Sequence, residues 1–240
     1  MSLGQREPST LWTVVACASQ PNAEARSLGF GAMSLVLSVI GLGPLGAVHA
    51  ACMADLGHTV IAVDASMPER AQSLSRGETP FDEPGLEELL ERTLATGSIS
   101  FTSDYADAAD AVVHFLCVGT PQRKGEYAAD LTWLDGAVEA LAPLLARAIL
   151  IVGKSTVPVG TAARLRRRPQ QVAPAGDDVH LLWNPEFLRE GFAVWDTVAP
   201  DRFVYGVAGP GAADDVALLD RLCRTPLDGD PTAGDGPADR

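Results

Sequence analysis

A chain of 240 residues, 47% of them hydrophobic, is long enough to bury one sizeable core. Its formal net charge of −13 argues against a nucleic-acid surface, which needs a basic face to displace phosphate counterions. That charge leaves a nucleotide ligand open, because local dipoles hold a dinucleotide. The four cysteines, Cys17, Cys52, Cys117 and Cys223, are scattered, with no CxxC pair and no histidine at ligand spacing. Neither a disulfide framework nor a metal site is expected, and a reducing cytoplasm is the expected setting.

Residues 1–32 are read as a leader outside the fold, disordered or non-native. Leu11–Ala18 is a short apolar run, but the single basic residue before it, Arg6, stands beside Glu7 and makes a poor signal peptide. Met33 stands just before the first strand, expected over residues 35–40. A helix over 44–56, closed by Gly57, and a strand over 59–64 follow. Glycines and a proline, with His49, Asp55 and His58, interrupt the apolar stretch 35–64, so it is not a membrane span. Helices are expected over 68–75 and 84–95, the second with an apolar stripe of Leu86, Leu89, Leu90 and Leu94. The pattern continues with strands over 98–102 and 111–118, a helix over 131–146, a strand over 149–152 and a helix over 159–168. Strands over 180–183 and 203–207 and a helix over 214–223 close it. Alternation of this kind predicts an α/β fold: a Rossmann-like doubly wound parallel sheet with helices on both faces, spanning residues 33–224. Residues 225–240 turn into Asp, Gly, Pro and Ala and are read as a disordered tail.

The first expected strand runs into Gly41-Leu42-Gly43-Pro44-Leu45-Gly46, a GxGxxG between a strand and a helix. Gly41 would permit the tight turn, Gly43 the approach of a pyrophosphate, and Gly46 close packing of helix on strand. The helix N-terminus would offer unpaired N–H groups and its positive dipole end to the phosphates, and Pro44 is compatible with the first turn. Asp64, eighteen residues after Gly46, ends the second strand. An acidic group there accepts hydrogen bonds from ribose hydroxyls and repels a 2′-phosphate, which favours NAD over NADP.

Four further segments carry a resemblance. They are Pro80-Phe81-Asp82-Glu83-Pro84-Gly85-Leu86, Val118-Gly119-Thr120-Pro121, Lys154-Ser155-Thr156-Val157-Pro158-Val159-Gly160-Thr161, and Asn184-Pro185-Glu186-Phe187-Leu188-Arg189-Glu190-Gly191 leading to Pro200-Asp201-Arg202. In this order and spacing the chain resembles the UDP-glucose/GDP-mannose dehydrogenase family over residues 33–224. The resemblance implies an NAD-dependent, two-step oxidation of a sugar nucleotide, UDP-glucose or a relative, through a thioester on a cysteine. It implies that Glu186 and Thr156 are catalytic, as acid/base and water-positioning groups. It implies a cofactor-binding set of Gly41, Gly43, Pro44, Leu45, Gly46, Asp64, Arg70, Val118, Gly119, Thr120, Pro121, Ser155, Thr156 and Glu190. Glu186, Phe187, Leu188 and Glu190 would wall the sugar-nucleotide site. The family's nucleophilic cysteine, in a glycine-rich motif, has no counterpart here: Cys223 lies in Leu222-Cys223-Arg224. The family's dimer contact also lies outside the matching segments, which leaves the oligomeric state open.

The residues read by themselves agree in part. Val118–Pro121 and Ser155–Pro158 follow expected strands and so fall at carboxyl ends, where open α/β sheets bind ligands. Glu186 and Glu190 are spaced i, i+4, as a carboxylate pair on a short helix would be, and two such groups push their pKa values apart. The plainer readings are a helix-start carboxylate for Glu186 and a solvated face for Glu190, paired with Arg189 or Arg202. Lys154 is read as a substrate contact or a plain surface lysine.

Overall fold

The computed structural model describes residues 13–18, 34–200, 202–209 and 211–223. The tail expected from residue 225, and the rest of the expected leader, lie outside them. Eight strands form one sheet: β1 (Thr13–Ala18), β2 (Val36–Ile40), β3 (Thr59–Val63), β4 (Ile99–Thr102), β5 (Val113–Leu116), β6 (Ile149–Gly153), β7 (Val179–Trp183) and β8 (Arg202–Val207). Their order is β1-β8-β7-β6-β5-β2-β3-β4. From β4 to β7 every pairing is parallel. Numbered from β2, this is the order 3-2-1-4-5-6 of a doubly wound dinucleotide fold, whose topological switch lies between β2 and β5.

The connecting helices are α1 (Pro44–Asp55), α2 (Pro68–Leu74), α3 (Leu86–Thr96), α4 (Thr132–Leu141), α5 (Thr161–Val172), α6 (Ala193–Val198) and α7 (Ala212–Cys223). Alternate residues of the central strands feed two cores. Val39, Phe115, Val152 and Leu182 join the layer of α1, α3 and α7, while Ile40, Leu116, Ile151 and Leu181 join that of α4 and α5. Burial on both faces is why these strands read as unbroken apolar runs. Helix α1 is buried almost all round, from Gly46 to Ala54, because Ala and Gly let it pack close to the sheet and to α3 and α6.

The structure departs from expectation at five places. Helix α3 starts at Leu86 rather than 84 because Gly85 takes φ 83°, outside helical space. Helix α4 stops at Leu141 and gives way to a 3₁₀ turn holding Pro143. Strand β8, expected to be parallel, is antiparallel to β7, with Trp183 opposite Gly206. The connection from β7 holds α6, a six-residue helix that the sequence pattern does not mark. Finally, β1 lies inside the expected leader. It runs antiparallel along β8 from Thr13–Val207 to Ala18–Arg202 and covers that strand's outer hydrogen-bonding edge.

Candidate cofactor and active site

The glycine-rich turn leaves β2 at the topological switch, with the Gly41 N–H bonded to the Val63 carbonyl at 2.8 Å. Gly41 has φ +90°, and a Cβ there would lie 3.0 Å from Val118 Cα. A Cβ on Gly46 would lie 1.8 Å from the Gly41 carbonyl oxygen, so α1 packs against its own entry loop only through glycine. Gly43 differs: a Cβ there would meet nothing within 4 Å. The protein therefore does not need a glycine at 43 for its own packing, and the space above it is where a phosphate would approach. Pro44 occupies the first turn, no side chain caps the helix, and that turn carries no acidic residue, so its N–H groups and dipole face outward. Leu45, partly buried, packs against the core beneath. These residues fit a dinucleotide pyrophosphate.

Asp64 follows β3 and is 2% exposed. One oxygen, Oδ2, accepts the Leu42 N–H at 3.2 Å and an Arg70 guanidinium N–H at 3.2 Å. The other accepts the Met67 N–H at 3.1 Å and the Ser66 hydroxyl at 2.8 Å. Asp64 thus does more than the sequence indicates: it braces the glycine-rich turn through Leu42 and holds Arg70 at the mouth of the same site.

The ends of β5 and β6 lie side by side. The Ser155 hydroxyl donates to the Val118 carbonyl at 2.5 Å, and the Thr120 hydroxyl to the Thr156 carbonyl at 2.7 Å. Trp183 Nε1 donates to the Ser155 carbonyl at 3.0 Å. The indole fits because residue 153 is glycine: a Cβ there would lie 2.3 Å from the ring. Ser155 is buried and spends its hydroxyl on this lacing, whereas Thr156, Gly119 and Pro121 are exposed along the edge. The cofactor-binding expectation for Val118–Pro121, Ser155 and Thr156 therefore falls on one continuous ledge beside the glycine-rich turn.

Glu186 and Glu190 do not form a helical pair, because residues 184–189 adopt no regular structure. Pro185 disfavours a helical conformation for Asn184, and no helix begins until Ala193. The partner of Glu186 is Lys154. Its ammonium lies 2.8 Å from Glu186 Oε2 and donates to Asn184 Oδ1 at 3.0 Å. The other Glu186 oxygen accepts the Phe187 N–H at 2.9 Å. Lys154 is not the surface lysine that its polar neighbours indicate: it is 5% exposed. Burial disfavours its charge, but the Glu186 carboxylate more than offsets this and holds the ammonium above the ordinary lysine range.

Of the expected sugar-site wall, Phe187 is 62% exposed and Leu188 leans into the core. Glu190 is exposed, and Arg189 grips Asp196 rather than Glu190, at 2.6 and 3.0 Å. This segment is tied down from a distance by Glu83, which accepts the Gly191 N–H at 3.0 Å and the Ala193 N–H at 2.7 Å. Around Pro80–Glu88 lies a groove of about 450 Å³ lined by Asp82, Glu83, Glu87 and Glu88, whose charge opposes a phosphate ligand. Cys52 and Cys117 offer no ready nucleophile. Burial pushes the Cys117 thiol up to about 12 and that of Cys52 higher still, and a protonated thiol does not attack. Among the described residues, no group of His, Cys, Asp and Glu is arranged to hold a metal ion, and no helix is long and apolar enough to cross a membrane.

The model of the UDP-glucose/GDP-mannose dehydrogenase family, NAD binding domain, matches residues 35–224. The UDP-glucose 6-dehydrogenase of Rhizobium meliloti is 42% identical over 174 residues, 72% of this chain and 39% of the relative. That of Pseudomonas aeruginosa is 41% identical over 194 residues, 76% of this chain and 41% of the relative. Among solved structures, a UDP-glucose dehydrogenase from Pyrobaculum islandicum superimposes with a TM-score of 0.72 at 36% identity, covering 80% of this chain and 44% of its own. A GDP-mannose dehydrogenase from Pseudomonas aeruginosa does so with a TM-score of 0.70 at 33% identity, covering 78% and 43%. The chain spans about two fifths of the length of the curated relatives it matches.

Proposed function

The chain belongs to the UDP-glucose/GDP-mannose dehydrogenase family, with the NAD binding domain over residues 35–224, and on that premise we propose that it is the NAD-binding portion of a UDP-glucose 6-dehydrogenase. The observation that carries this reading is a single edge of the sheet. It brings together the open space over Gly43, the Asp64–Arg70 pair and the Lys154–Glu186 pair.

Gly41, Gly43 and Gly46 shape the turn that receives the pyrophosphate, and the N-terminus of α1 supplies donors and dipole. Asp64 receives the ribose hydroxyls, with Arg70 alongside. Val118–Pro121, Ser155 and Thr156 form the ledge that orients the nicotinamide end, with Glu190 assigned to the cofactor by the resemblance alone. NAD, when bound, supplies the oxidising power by accepting hydride from the sugar C6. Glu186 takes up the proton released from the C6 hydroxyl, and the exposed Thr156 hydroxyl orients a water for the hydrolytic step. Phe187, Leu188 and Glu190 wall the site against the sugar nucleotide. The setting is the cytoplasm.

Residues 1–240 bind NAD in this reading but do not complete the oxidation, because a thioester needs a positioned thiolate and Cys52 and Cys117 are buried thiols. The same observation favours a second reading, an NAD-binding module without chemistry of its own. Calorimetric titration of NAD and NADP into the chain tests the first step. Micromolar to sub-millimolar NAD binding, weakened by Asp64→Ala, supports both readings, and no binding by folded protein defeats both. Addition of the remaining part of a relative, with UDP-glucose and NAD, separates them. Appearance of UDP-glucuronate supports the dehydrogenase. UDP-glucuronate formed by residues 1–240 alone would overturn the claim that the chain needs a complement.

A further inference from the structure

We propose that Lys154 is a positioning residue: its ammonium, fixed through Asn184 to β8, holds the Glu186 carboxylate in place on the carboxyl edge of the sheet. The inference rests on the reading of Glu186 as the proton acceptor. It adds a group that neither the glycine-rich turn nor the ribose acceptor requires.

Three side-chain contacts link β8 to the site. The Val204 carbonyl of β8 accepts from Asn184 Nδ2 at 3.0 Å. Asn184 Oδ1 accepts from Lys154 Nζ at 3.0 Å, and Nζ lies 2.8 Å from Glu186 Oε2. Backbone bonds from Asn184 N–H to the Gly153 carbonyl (2.8 Å) and from Glu186 N–H to the Lys154 carbonyl (3.2 Å) set the register of the three residues. The Phe187 N–H occupies the second carboxylate oxygen. With a donor on each oxygen, the plane of the carboxylate is fixed, and water or a hydroxyl can reach it only along the remaining lone pairs.

A lysine buried to this degree is costly unless paired, so its presence under an exposed edge calls for a use. The Lys154 side chain is 7% exposed and that of Glu186 20%, so the anion meets solvent and the cation does not. The other titratable groups that face Lys154 are His49 on α1, Cys117 after β5 and Cys223 at the end of α7. Of these, His49 has its charged form suppressed by burial and by Lys154 itself, and Cys117 is a protonated thiol. Glu186 is the carboxylate in direct contact with the ammonium.

The chain has only two lysines, Lys124 and Lys154, which makes the test direct. Protein labelled with ¹³C at lysine Cε gives one signal for each, with the exposed Lys124 as internal reference. The expected result is that Lys154 titrates above the ordinary lysine value in the wild type. Glu186→Gln removes the carboxylate that offsets burial, and the Lys154 midpoint falls by more than about one pH unit. Equal midpoints in the two proteins would overturn the proposal. If Glu186→Gln fails to fold, the wild type decides through the ¹⁵N signal of the Lys154 ammonium. Slow proton exchange with cross-peaks to Asn184 and Glu186 supports the proposal, and fast exchange without them overturns it. A merely structural pair is separated by adding NAD under conditions where calorimetry shows binding. A shifted Lys154 signal with Lys124 unmoved is expected, and an unmoved Lys154 overturns the positioning role. If NAD fails to bind the wild type, the cofactor reading fails, while the lysine titration still decides the pair.

Discussion

Glu83 and Ala193, 110 residues apart, are joined by a 2.7 Å hydrogen bond from the Ala193 N–H to the Glu83 carboxylate, which also accepts the Gly191 N–H at 3.0 Å. One side chain thus ties the Pro80–Leu86 segment to the loop that carries Glu186, at the point where α6 begins. Bonds from backbone N–H to a charged acceptor are among the stronger ones, and an N–H left unpaired beside a buried alanine is costly. Glu83→Ala should lower stability by about 2–3 kcal/mol, and Glu83→Gln by less, because the amide oxygen can still accept one bond. Urea denaturation checks this. A loss below about 0.5 kcal/mol for Glu83→Ala would show that the loop holds its place without the carboxylate.

The three motif glycines should separate folding from binding. Gly46→Ala would set a Cβ 1.8 Å from the Gly41 carbonyl, so α1 must move off the sheet and the protein should lose at least about 2–3 kcal/mol. Gly43→Ala meets nothing within 4 Å, and its φ of −62° suits any residue. Its melting temperature should stay within a degree or two of wild type, while NAD affinity falls about tenfold or more, because the methyl group takes the space of the pyrophosphate. A Gly43→Ala protein that binds NAD normally would show that the phosphates lie elsewhere.

The central sheet was legible because each strand from β2 to β7 is a local apolar run between turn residues, and because GxGxxG needs only a strand before it and a helix after it. What could not be read locally is what depends on pairing at a distance. The direction of β8 follows from its partner, not from Arg202–Val207, and β1 has meaning only beside β8. Lys154 looks like a surface residue among Gly153, Ser155 and Thr156, since its acceptors lie 30 and 32 positions on. The four-residue spacing of Glu186 and Glu190 invited a helix, and Pro185 gave no local signal against one, since proline suits a helix's first turn. The segments carrying the family resemblance point to candidate site residues but not to how they join: Glu83, Lys154 and Asn184 carry the contacts between segments.

Acid should destabilise this fold in a defined window. Burial lowers the His114 pKa to about 4, from 6.5, and lowers that of His49 well below its ordinary value. A histidine with a depressed folded pKa stays neutral in the native state while the unfolded chain takes up a proton. Stability is therefore full above pH 6.5 and is lost as pH falls from there toward 4. For His114 alone the loss approaches about 3 kcal/mol. His114 bonds Ser38 Oγ at 2.6 Å, so His114→Gln keeps a polar partner there and removes the titration. The wild-type urea midpoint should fall steeply between pH 6.5 and 4, and the variant's less so. Parallel curves would mean that His114 does not govern acid sensitivity. His49 offers a companion test, because both its ring nitrogens lack partners while its edge packs on Phe115 at 4.4 Å. His49→Leu should be neutral or stabilising near pH 7 and should flatten the acid limb further.

In the proposed reading the choice of NAD over NADP turns on Asp64 and Arg70, which touch at 3.2 Å. While the carboxylate is present, its charge opposes a 2′-phosphate and it also takes up the guanidinium that could otherwise greet one. Asp64→Ser removes both effects at once, but it also removes the oxygen that accepts the Leu42 N–H and braces the glycine-rich turn. Two consequences should therefore appear together. NAD affinity falls about tenfold or more, and the ratio of NADP to NAD affinity rises by at least a similar factor. Adding Arg70→Ala to Asp64→Ser should cancel the gain for NADP without restoring NAD, because the cation was its source. Calorimetry with both cofactors on the single and double variants measures each term. If Asp64→Ser weakens NAD and NADP equally, the carboxylate acts on the turn alone and does not read the ribose.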